Sequence, residues 1–309
     1  MATAVREDER IIVTGPEPAQ PNRAWQQFWR QPLGWVGVII LVFLVLFSFV
    51  GPLLWRDSTT TPNLLLPLAA PTAAHPLGTD GLGRDALARL MVGGQTSLLV
   101  GFSAALASTF LGALYGTISG YIGGTTDMVM MRIVDVLLAI PSIFILLFLD
   151  SVFTPSAFLL VIIIALTGWI GVSRLIRAEV LSLKNQVYIE AQRAVGAGMV
   201  RIMWRGLLPN YMGTLLVTTT FAVAGAILTV AGLSFLGLGL PPPTPNWGEL
   251  LSSSMTYMFQ NAWWLIYPPG ICILLAELSI NFIGDAMRVA FDSRLQRRGG
   301  GGSATTGGM

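Results

Sequence analysis

The sequence predicts an all-α membrane protein with six transmembrane helices, and three observations support this fold class. The chain of 309 residues is 53% hydrophobic and only 11% charged, with a mean hydropathy of +0.69. Soluble domains carry roughly 25% charged residues, so this chain has too few to cover a water-facing surface. The other two observations are six long apolar runs and an uneven distribution of positive charge among the segments that connect them.

Each apolar run is long enough to cross a bilayer, because a helix rises about 1.5 Å per residue and the hydrocarbon core is roughly 30 Å thick. The first run, Leu33–Trp55, is uncharged and much longer than the apolar region of a secretory signal, so we expect it to be retained as a span. The other predicted spans are Ser97–Gly120, Met128–Leu149, Ala157–Ser173, Tyr211–Leu236 and Trp263–Met287.

Positive charge predicts the orientation, since cytoplasmic segments carry an excess of Lys and Arg. With the N-terminus inside, the cytoplasmic segments hold fourteen cations and the external segments hold three. We therefore expect both termini in the cytoplasm. The predicted organisation is a cytoplasmic N-terminal segment at 1–32, a transmembrane domain at 33–295 and a disordered, Gly-rich cytoplasmic tail at 296–309.

The chain lacks the residues that several chemistries need. Lys184 is the only lysine and lies outside any Gly-Lys-Ser/Thr sequence, which excludes an ATPase phosphate-binding loop of that type. Cys272 and His75 are the only residues of their types, which excludes an internal disulfide and a zinc site of four Cys or of mixed Cys and His. We expect no catalytic residue, metal site or cofactor in this chain, and a loop role for His75.

The internal loop, defined as residues 174–210, is the longest and most charged of the cytoplasmic connections. It is predicted to form two short amphipathic helices broken at Gly196-Ala197-Gly198, with Pro209 ending the second helix and Tyr211 beginning the fifth span. Such a helix pair, tied to spans at both ends, is either a lever that moves two spans together or an interfacial pair that holds lipid headgroups. Periodicity alone leaves these alternatives even.

A motif within the internal loop resembles a known family. Glu190-Ala191-Gln192-Arg193-Ala194-Val195-Gly196 is followed by nine residues and then Gly206-Leu207-Leu208-Pro209. This resembles the signature of bacterial ABC-importer permeases, which is Glu-Ala-Ala, three residues, Gly, nine residues and Ile-x-Leu-Pro; Gln192 and Gly206 depart from it. The resemblance implies a coupling helix that docks on a separate ATPase, with these docking residues: Glu190, Ala191, Gly196, Leu208 and Pro209.

Three further stretches resemble the C-type subunit of the dipeptide/oligopeptide/nickel permeases. They are His75–Asp85 before the second span, Gly232–Gly248 at the outer end of the fifth span, and Gly284–Leu295 near the C-terminus. Four motifs in the right order make the resemblance specific over about Leu33 to Leu295. It implies that the transmembrane domain is a permease domain.

The resemblance also implies partners and a location. We expect a permease subunit that forms half of a path for short peptides, with a homologous second permease, two ATPase subunits that bind ATP and Mg²⁺, and an extracytoplasmic substrate-binding protein. The expected location is a bacterial or archaeal cytoplasmic (inner) membrane. A permease for nickel chelates or other small solutes is the alternative within the family. An ion-driven secondary carrier and a membrane enzyme are alternatives from other classes, with weaker support.

Polar residues near the spans supply further expectations. Asp80 is predicted to cap a helix that begins near Leu82, and its neighbours serve either as scaffold or as contacts to substrate or the binding protein. The prolines at 242–245 stiffen a loop that is either a connector or part of the pore mouth.

Charged residues within the predicted spans supply two more expectations. Arg132 and Asp135 are expected to form a structural pair. Glu277, near the middle of the sixth span, is the candidate for the translocation path, since charge there is costly.

Overall fold

The computed structural model of the protein describes residues 21–153, 156–241 and 243–291, in which the regular elements are helices joined by irregular segments such as 55–85. The helices are α1 (Pro21–Arg30), α2 (Pro32–Phe49), α3 (Gly51–Leu54), α4 (Ala86–Ile122), α5 (Gly124–Ala139), α6 (Ser142–Val152), α7 (Ala157–Leu183), α8 (Val187–Ala194), α9 (Met199–Arg201), α10 (Leu208–Phe235), α11 (Trp247–Ser254) and α12 (Trp263–Phe291). Most of the N-terminal segment and the Gly-rich tail lie outside the described residues.

Five helical segments in the described part of the chain are long and apolar enough to cross a membrane: Pro32–Leu54, Ala86–Ile122, Ala157–Leu183, Met199–Phe235 and Trp263–Phe291. A sixth span is formed if α5 and the adjoining part of α6 count as one. The predicted spans match these helices in order, and in number only with the bent pair counted as one span; α4, α7 and the helix through α10 extend well past their predicted ends.

The third predicted span is bent. The helix axis turns by 79° between Gly124–Ala139 and Ser142–Leu149. Pro141 stands at this break in an extended conformation, and Ile140 before it is also extended, with φ of −94° and ψ of 119°. A residue before proline is pushed out of the helical region, so the proline that the sequence places inside the span divides it.

Glycines bring α4 and α7 into close backbone contact. Gly112, Gly116 and Gly120 lie four residues apart on one face of α4. A Cβ on Gly116 would lie 2.3 Å from the carbonyl oxygen of Ser173, and a Cβ on Gly112 would lie 2.5 Å from Val172 Cβ. Small residues at this spacing are a common device for packing helices in membranes.

The main core lies at the crossing of α2, α4, α7, α10, α11 and α12. Trp247 at the start of α11 is fully buried, and its indole nitrogen donates to the carbonyl of Leu90 at 3.0 Å. The backbone N–H of Trp247 donates to Ser97 Oγ at 3.1 Å. The segment after the proline-rich connection is thus an anchor against α4. The buried residues around it include Leu44, Leu98, Ala104, Leu160, Ile227, Val230, Ala276 and Ile280.

The helix α1 was not expected from the sequence, where residues 1–32 were interpreted only as a polar segment. Phe28 is buried on one face and packs with Ala286 and Ala290 of α12. Trp25 and Trp29 stack beside it and remain about half exposed. The aromatic residues at i, i+3 and i+4 are the sequence signal for an amphipathic helix.

Two expectations about charged residues were wrong. The helix α4 begins at Ala86 and is capped by Asp85, which accepts from the Ala88 N–H at 2.7 Å. Asp80 instead closes the preceding turn, where it accepts from the N–H groups of Leu82 and Arg84 at 2.9 Å. Asp135 pairs with Arg174 of α7 rather than with Arg132, because α5 lies beside α7.

Candidate functional site

The internal loop begins where α7 ends and turns into the short helix α8. Glu190 and Ala191 lie on the exposed side of α8, whereas Ile189 is fully buried. Gln186 stands before the helix in an extended conformation and its carbonyl accepts from the N–H of Glu190 at 3.1 Å. The helix therefore presents one polar face outward and inserts one apolar side chain inward.

Gly196 ends α8 in a left-handed conformation, with φ of +79°. Its N–H donates to the carbonyl of Arg193 at 2.9 Å, and the N–H of Ala197 donates to the carbonyl of Gln192 at 2.9 Å. These bonds satisfy carbonyl groups that the helix end would leave unpaired. A Cβ on Gly196 would meet nothing within 4 Å, so the backbone conformation alone explains the glycine here.

Beyond the turn, the chain forms one continuous helical path into the fifth span. The segment α9 passes through a π-helical turn, Ile202–Leu207, directly into α10. Pro209 occupies the first turn of α10, and the expectation that it ends the second helix was therefore wrong. Proline is tolerated there because a first-turn residue needs no intrahelical N–H bond.

A separate hydrophobic cluster fixes the internal loop to the spans. Ile189 of α8 and Ile202 and Leu207 of the π-helical turn are at most 1% exposed. They pack with Val180 of α7 and with Tyr211 of α10. The hydroxyl groups of Tyr211 and Thr117 of α4 are hydrogen-bonded at 2.8 Å. These packed side chains connect α8 directly to α7 and α10.

The two departures from the family signature face each other. A Cβ on Gly206 would lie 2.7 Å from Ile189 Cδ1 and 2.8 Å from Gln192 Oε1. Gln192 therefore fills the space above a residue that has no side chain. This explains how α8 packs tightly against the π-helical turn although both signature positions differ.

The predicted docking residues divide into two groups. Glu190, Ala191 and Gly196 are exposed on the surface of the loop, and Pro209 is exposed at the start of α10. Leu208 is half-buried and packs on the cluster beneath α8.

The sequence analysis missed two exposed apolar side chains that flank α8. Val187 at the start of α8 is 80% exposed and Val195 after its end is 83% exposed; for Val195, the glycine that directly follows it was the available signal.

Glu277 lies apart from the internal loop in α12 and is half-buried. Asn281 Nδ2 donates to the Glu277 carbonyl at 2.9 Å and lies 3.4 Å from Oε2. Glu277 Oε1 has no hydrogen-bond partner among the described residues, and the atom itself is buried. The structure therefore brings no cation from another described helix to this carboxylate.

At the opposite end of the molecule, ion pairs join the start of α4 to α11. Arg89 is 4% exposed and lies 3.2 Å from Glu249 of α11 and 3.5 Å from Asp80. Burial raises the pKa of the Glu249 carboxyl, and this effect outweighs Arg89, which lowers it. The network fixes α11, and with it Trp247, against α4.

The described helices define a multi-pass membrane protein in which the internal loop packs against two of the candidate spans. Residues 109–297 match the family model described as "Binding-protein-dependent transport system inner membrane component". Residues 22–71 match the model of the "N-terminal TM domain of oligopeptide transport permease C". The chain belongs to the family of binding-protein-dependent transport system inner membrane components, which are ABC-importer permeases.

Individual relatives agree with this assignment. The chain is 39% identical to the oligopeptide transport system permease protein OppC of Bacillus subtilis (strain 168), over 89% of this chain and 90% of the relative. It is 40% identical to the dipeptide transport system permease protein DppC of Escherichia coli (strain K12), over 94% and 98%. Family membership makes the chain an ABC-importer permease, a membrane subunit, rather than an ion-driven carrier.

A solved structure shares the fold. It shows inward-facing conformations of the MetNI methionine ABC transporter and matches with a TM-score of 0.50 at 19% identity. The match covers 65% of this chain and 96% of that chain. At this identity the match supports the helical permease fold alone.

Proposed function

We propose that this chain is one of two permease subunits of an ATP-driven importer of short peptides. The observation that carries the proposal is the internal loop, in which an exposed helix is attached by buried side chains to two spans. The substrate class comes from relatives named as oligopeptide and dipeptide permeases, which are 39–40% identical over nearly the whole chain.

The proposed mechanism converts closure of an ATPase pair into movement of spans. The exposed face of α8, with Glu190 and Ala191, sits against an ATPase subunit. Because Ile189 is packed between α7 and the π-helical turn, motion of α8 displaces α7 and α10 together. That displacement switches the path between its two openings, and hydrolysis in the partner resets it. ATP and Mg²⁺ belong to the ATPase subunits in this scheme.

The assembly in this proposal has one homologous second permease, two ATPase subunits and an extracytoplasmic substrate-binding protein. Residues 1–32 and 296–309 lie in the cytoplasm of a bacterial cell, and 33–295 form the permease domain in its inner membrane. The bias of positive charge toward the internal loop and the two terminal segments supports this orientation.

Glu277 is proposed to face the translocation path. Its buried Oε1 lacks a partner within the described chain, and an unpaired carboxylate in a membrane is costly unless water, a substrate amine or a second subunit meets it. We expect Glu277→Gln to lower peptide uptake while coupled ATP hydrolysis persists. Equal losses of peptide uptake and of ATP hydrolysis would contradict the assignment of Glu277 to the translocation path.

The experiment that tests the lever uses two glycines in the same turn. Gly196 has φ of +79° and Gly198 has φ of −68°, and a Cβ on either would meet nothing within 4 Å. Alanine at Gly196 is therefore strained by about 1–2 kcal/mol, whereas alanine at Gly198 is not. The permease is purified with candidate ATPase subunits and reconstituted, and complex formation and peptide uptake are measured for each variant.

We expect Gly196→Ala to lower ATPase capture and uptake severalfold, and Gly198→Ala to leave both near wild type. Glu190→Gln tests the docking face separately and should weaken capture without lowering the thermal stability of the chain. If capture and uptake survive both the Gly196 and Glu190 substitutions unchanged, the internal loop is not the coupling element.

A further inference from the structure

Three side chains able to ligate a metal meet in the 55–85 loop, the segment that joins α3 to α4. Asp57 follows the first span, His75 lies in the middle of the loop, and Asp85 caps α4. The ligand atoms of the three residues lie within 4.8 Å of one another. His75 Nδ1 is hydrogen-bonded to Asp85 Oδ2 at 2.8 Å and lies 3.6 Å from Asp57 Oδ2.

Hydrogen bonds orient both carboxylates toward the imidazole. Asp85 Oδ1 accepts from the N–H of Ala88 at 2.7 Å and from the indole of Trp55 at 3.3 Å. Asp57 Oδ1 accepts from the N–H of Ser58 at 2.7 Å. In each case Oδ2 is the oxygen left to face His75. Outer bonds of this kind fix the direction of ligands in metal sites.

The backbone of His75 is held in place as well. Its carbonyl accepts from the N–H groups of Thr72 at 2.9 Å and Gly78 at 2.8 Å. Its own N–H donates to Thr72 Oγ1 at 3.1 Å. Hydrogen bonds to the backbone of His75 therefore fix the position from which its imidazole projects, whatever the ring itself contacts.

The nearby arginines do not pair with these two carboxylates within the described chain. Arg56 Nε donates to the Leu53 carbonyl at 3.3 Å. Arg84 pairs with Asp80, and Arg89 with Asp80 and Glu249. The Asp85 side chain is 0% exposed, and a buried carboxylate calls for a cationic partner. The His75 imidazole is thus the described group that both carboxylates face, and a metal ion bound there would replace the proton on Nδ1.

We propose that Asp57, His75 and Asp85 bind a divalent transition-metal ion of the zinc type at the end of α4. One imidazole nitrogen and two carboxylate oxygens are ligands that Zn²⁺ accepts, with a fourth position open to water. Bonds of about 2.0 Å in a tetrahedron place neighbouring ligand atoms roughly 3.3 Å apart. The observed 2.8 Å and 3.6 Å bracket that value. The 40% exposure of Asp57 gives the ion a route from solvent.

The ion would join the end of the first span, the 55–85 loop and the first turn of α4. Asp85 is also the cap of α4, so the metal would stabilise a helix start at which Trp55, His75 and Asp57 already meet. This role is independent of the transported substrate and of the coupling proposed for the internal loop.

The sequence provides a clean test, since His75 is the only histidine. The full chain is purified with an affinity tag that contains no histidine, treated with a chelator and titrated with Zn²⁺ by calorimetry. Co²⁺ then replaces Zn²⁺, because its visible spectrum reports nitrogen and oxygen ligands. We expect one ion per chain, a change in Trp55 fluorescence and a higher thermal midpoint with metal.

Substitutions test whether these three side chains, rather than others in the chain, bind the ion. His75→Gln keeps a side chain that can donate to Asp85 and should weaken Zn²⁺ binding by about tenfold or more. Asp57→Asn alters a partly exposed side chain and decides the question if the His75 variant fails to fold; it should also weaken binding. Cys272→Ala is the control and should bind as wild type. Absence of binding in the wild-type chain, or binding as tight as wild type in both ligand variants, would overturn the proposal.

Discussion

The contact between Gln192 and Gly206 shows how a single pair of residues preserves the packing of α8 on the π-helical turn. Isoleucine at 206, the residue in the family signature, would collide with Ile189 and Gln192, since even a Cβ there lies 2.7–2.8 Å from them. Alanine at 192 would leave the space beside Gly206 empty. The two substitutions are therefore expected to compensate each other although each alone is unfavourable.

A double-mutant cycle checks this compensation. Gly206→Ile should destabilise the chain by about 1–3 kcal/mol through overpacking, and Gln192→Ala should lower stability by a smaller amount through lost contacts. The double variant should recover part of the loss, because its short residue at 192 removes one of the two clashes and leaves only Ile189 to adjust. Thermal unfolding of the purified chain measures stability, and ATPase capture measures function. Strictly additive losses would show that the two positions are not coupled.

Glu249 gives a pH prediction at the same scale. Burial raises the folded-state pKa of this carboxyl above its ordinary value of 4.5. The folded chain then binds the proton more tightly than the unfolded chain, so protonation favours folding. The wild type should gain thermal stability relative to Glu249→Gln as the pH falls from 7 toward 4.5, with no further relative gain below. A stability difference independent of pH would contradict this assignment.

The packing of α4 on α7 belongs to the scale of whole elements. A Cβ on Gly116 would lie 2.3 Å from the backbone oxygen of Ser173, which cannot rotate away as a side chain can. We expect Gly116→Ala to force α4 and α7 apart and to cost about 1–3 kcal/mol. Thermal unfolding in detergent, followed by tryptophan fluorescence, measures the effect.

Gly171 of α7 provides the matched control. It is also a helical glycine in this helix pair, but a Cβ there would meet nothing within 4 Å. Gly171→Ala should therefore leave the thermal midpoint unchanged or raise it slightly, because alanine has the higher helix propensity. Similar losses for both variants would point to a general effect of glycine replacement rather than to close packing.

The helices show which features of the structure can be predicted from the sequence and which cannot. Hydropathy located all the long helices, because apolar length is a local property. The ends of the helices were harder to predict from the sequence. Pro209 is compatible with either ending a helix or starting one, and only packing of the π-helical turn selects the second. Asp80 and Asp85 are both able to cap, and the hydrogen bonds of the 55–85 loop decide between them.

Pairings between residues far apart in the sequence could not be predicted either, because they depend on which helices pack together. Asp135 pairs with Arg174, on another helix, whereas rules of spacing suggested Arg132. The motif from Glu190 to Pro209 could be recognised because its residues are close in the sequence, and its docking role stays a prediction. The fit of Gln192 over Gly206 requires α8 to fold back on the π-helical turn, and no local pattern contains that information.

At the scale of the whole molecule, orientation and the number of crossings are linked. If α5 and α6 together cross the membrane, the chain has six spans, and the internal loop lies on the same side as both termini. If the bent pair does not cross, the loop and the N-terminus lie on opposite sides. The excess of positive charge in the internal loop and both termini favours six crossings.

Labelling of single cysteines distinguishes these topologies. Cys272→Ala gives a chain without cysteine, and one cysteine is then placed at an exposed position: Leu65 in the 55–85 loop, Phe153 after α6, or Val195 in the internal loop. With a reagent that cannot cross membranes, we expect Leu65→Cys and Phe153→Cys to react in spheroplasts and Val195→Cys only after permeabilisation. Reaction of Phe153→Cys only after permeabilisation would show that the 79° bend returns the chain to the side it came from.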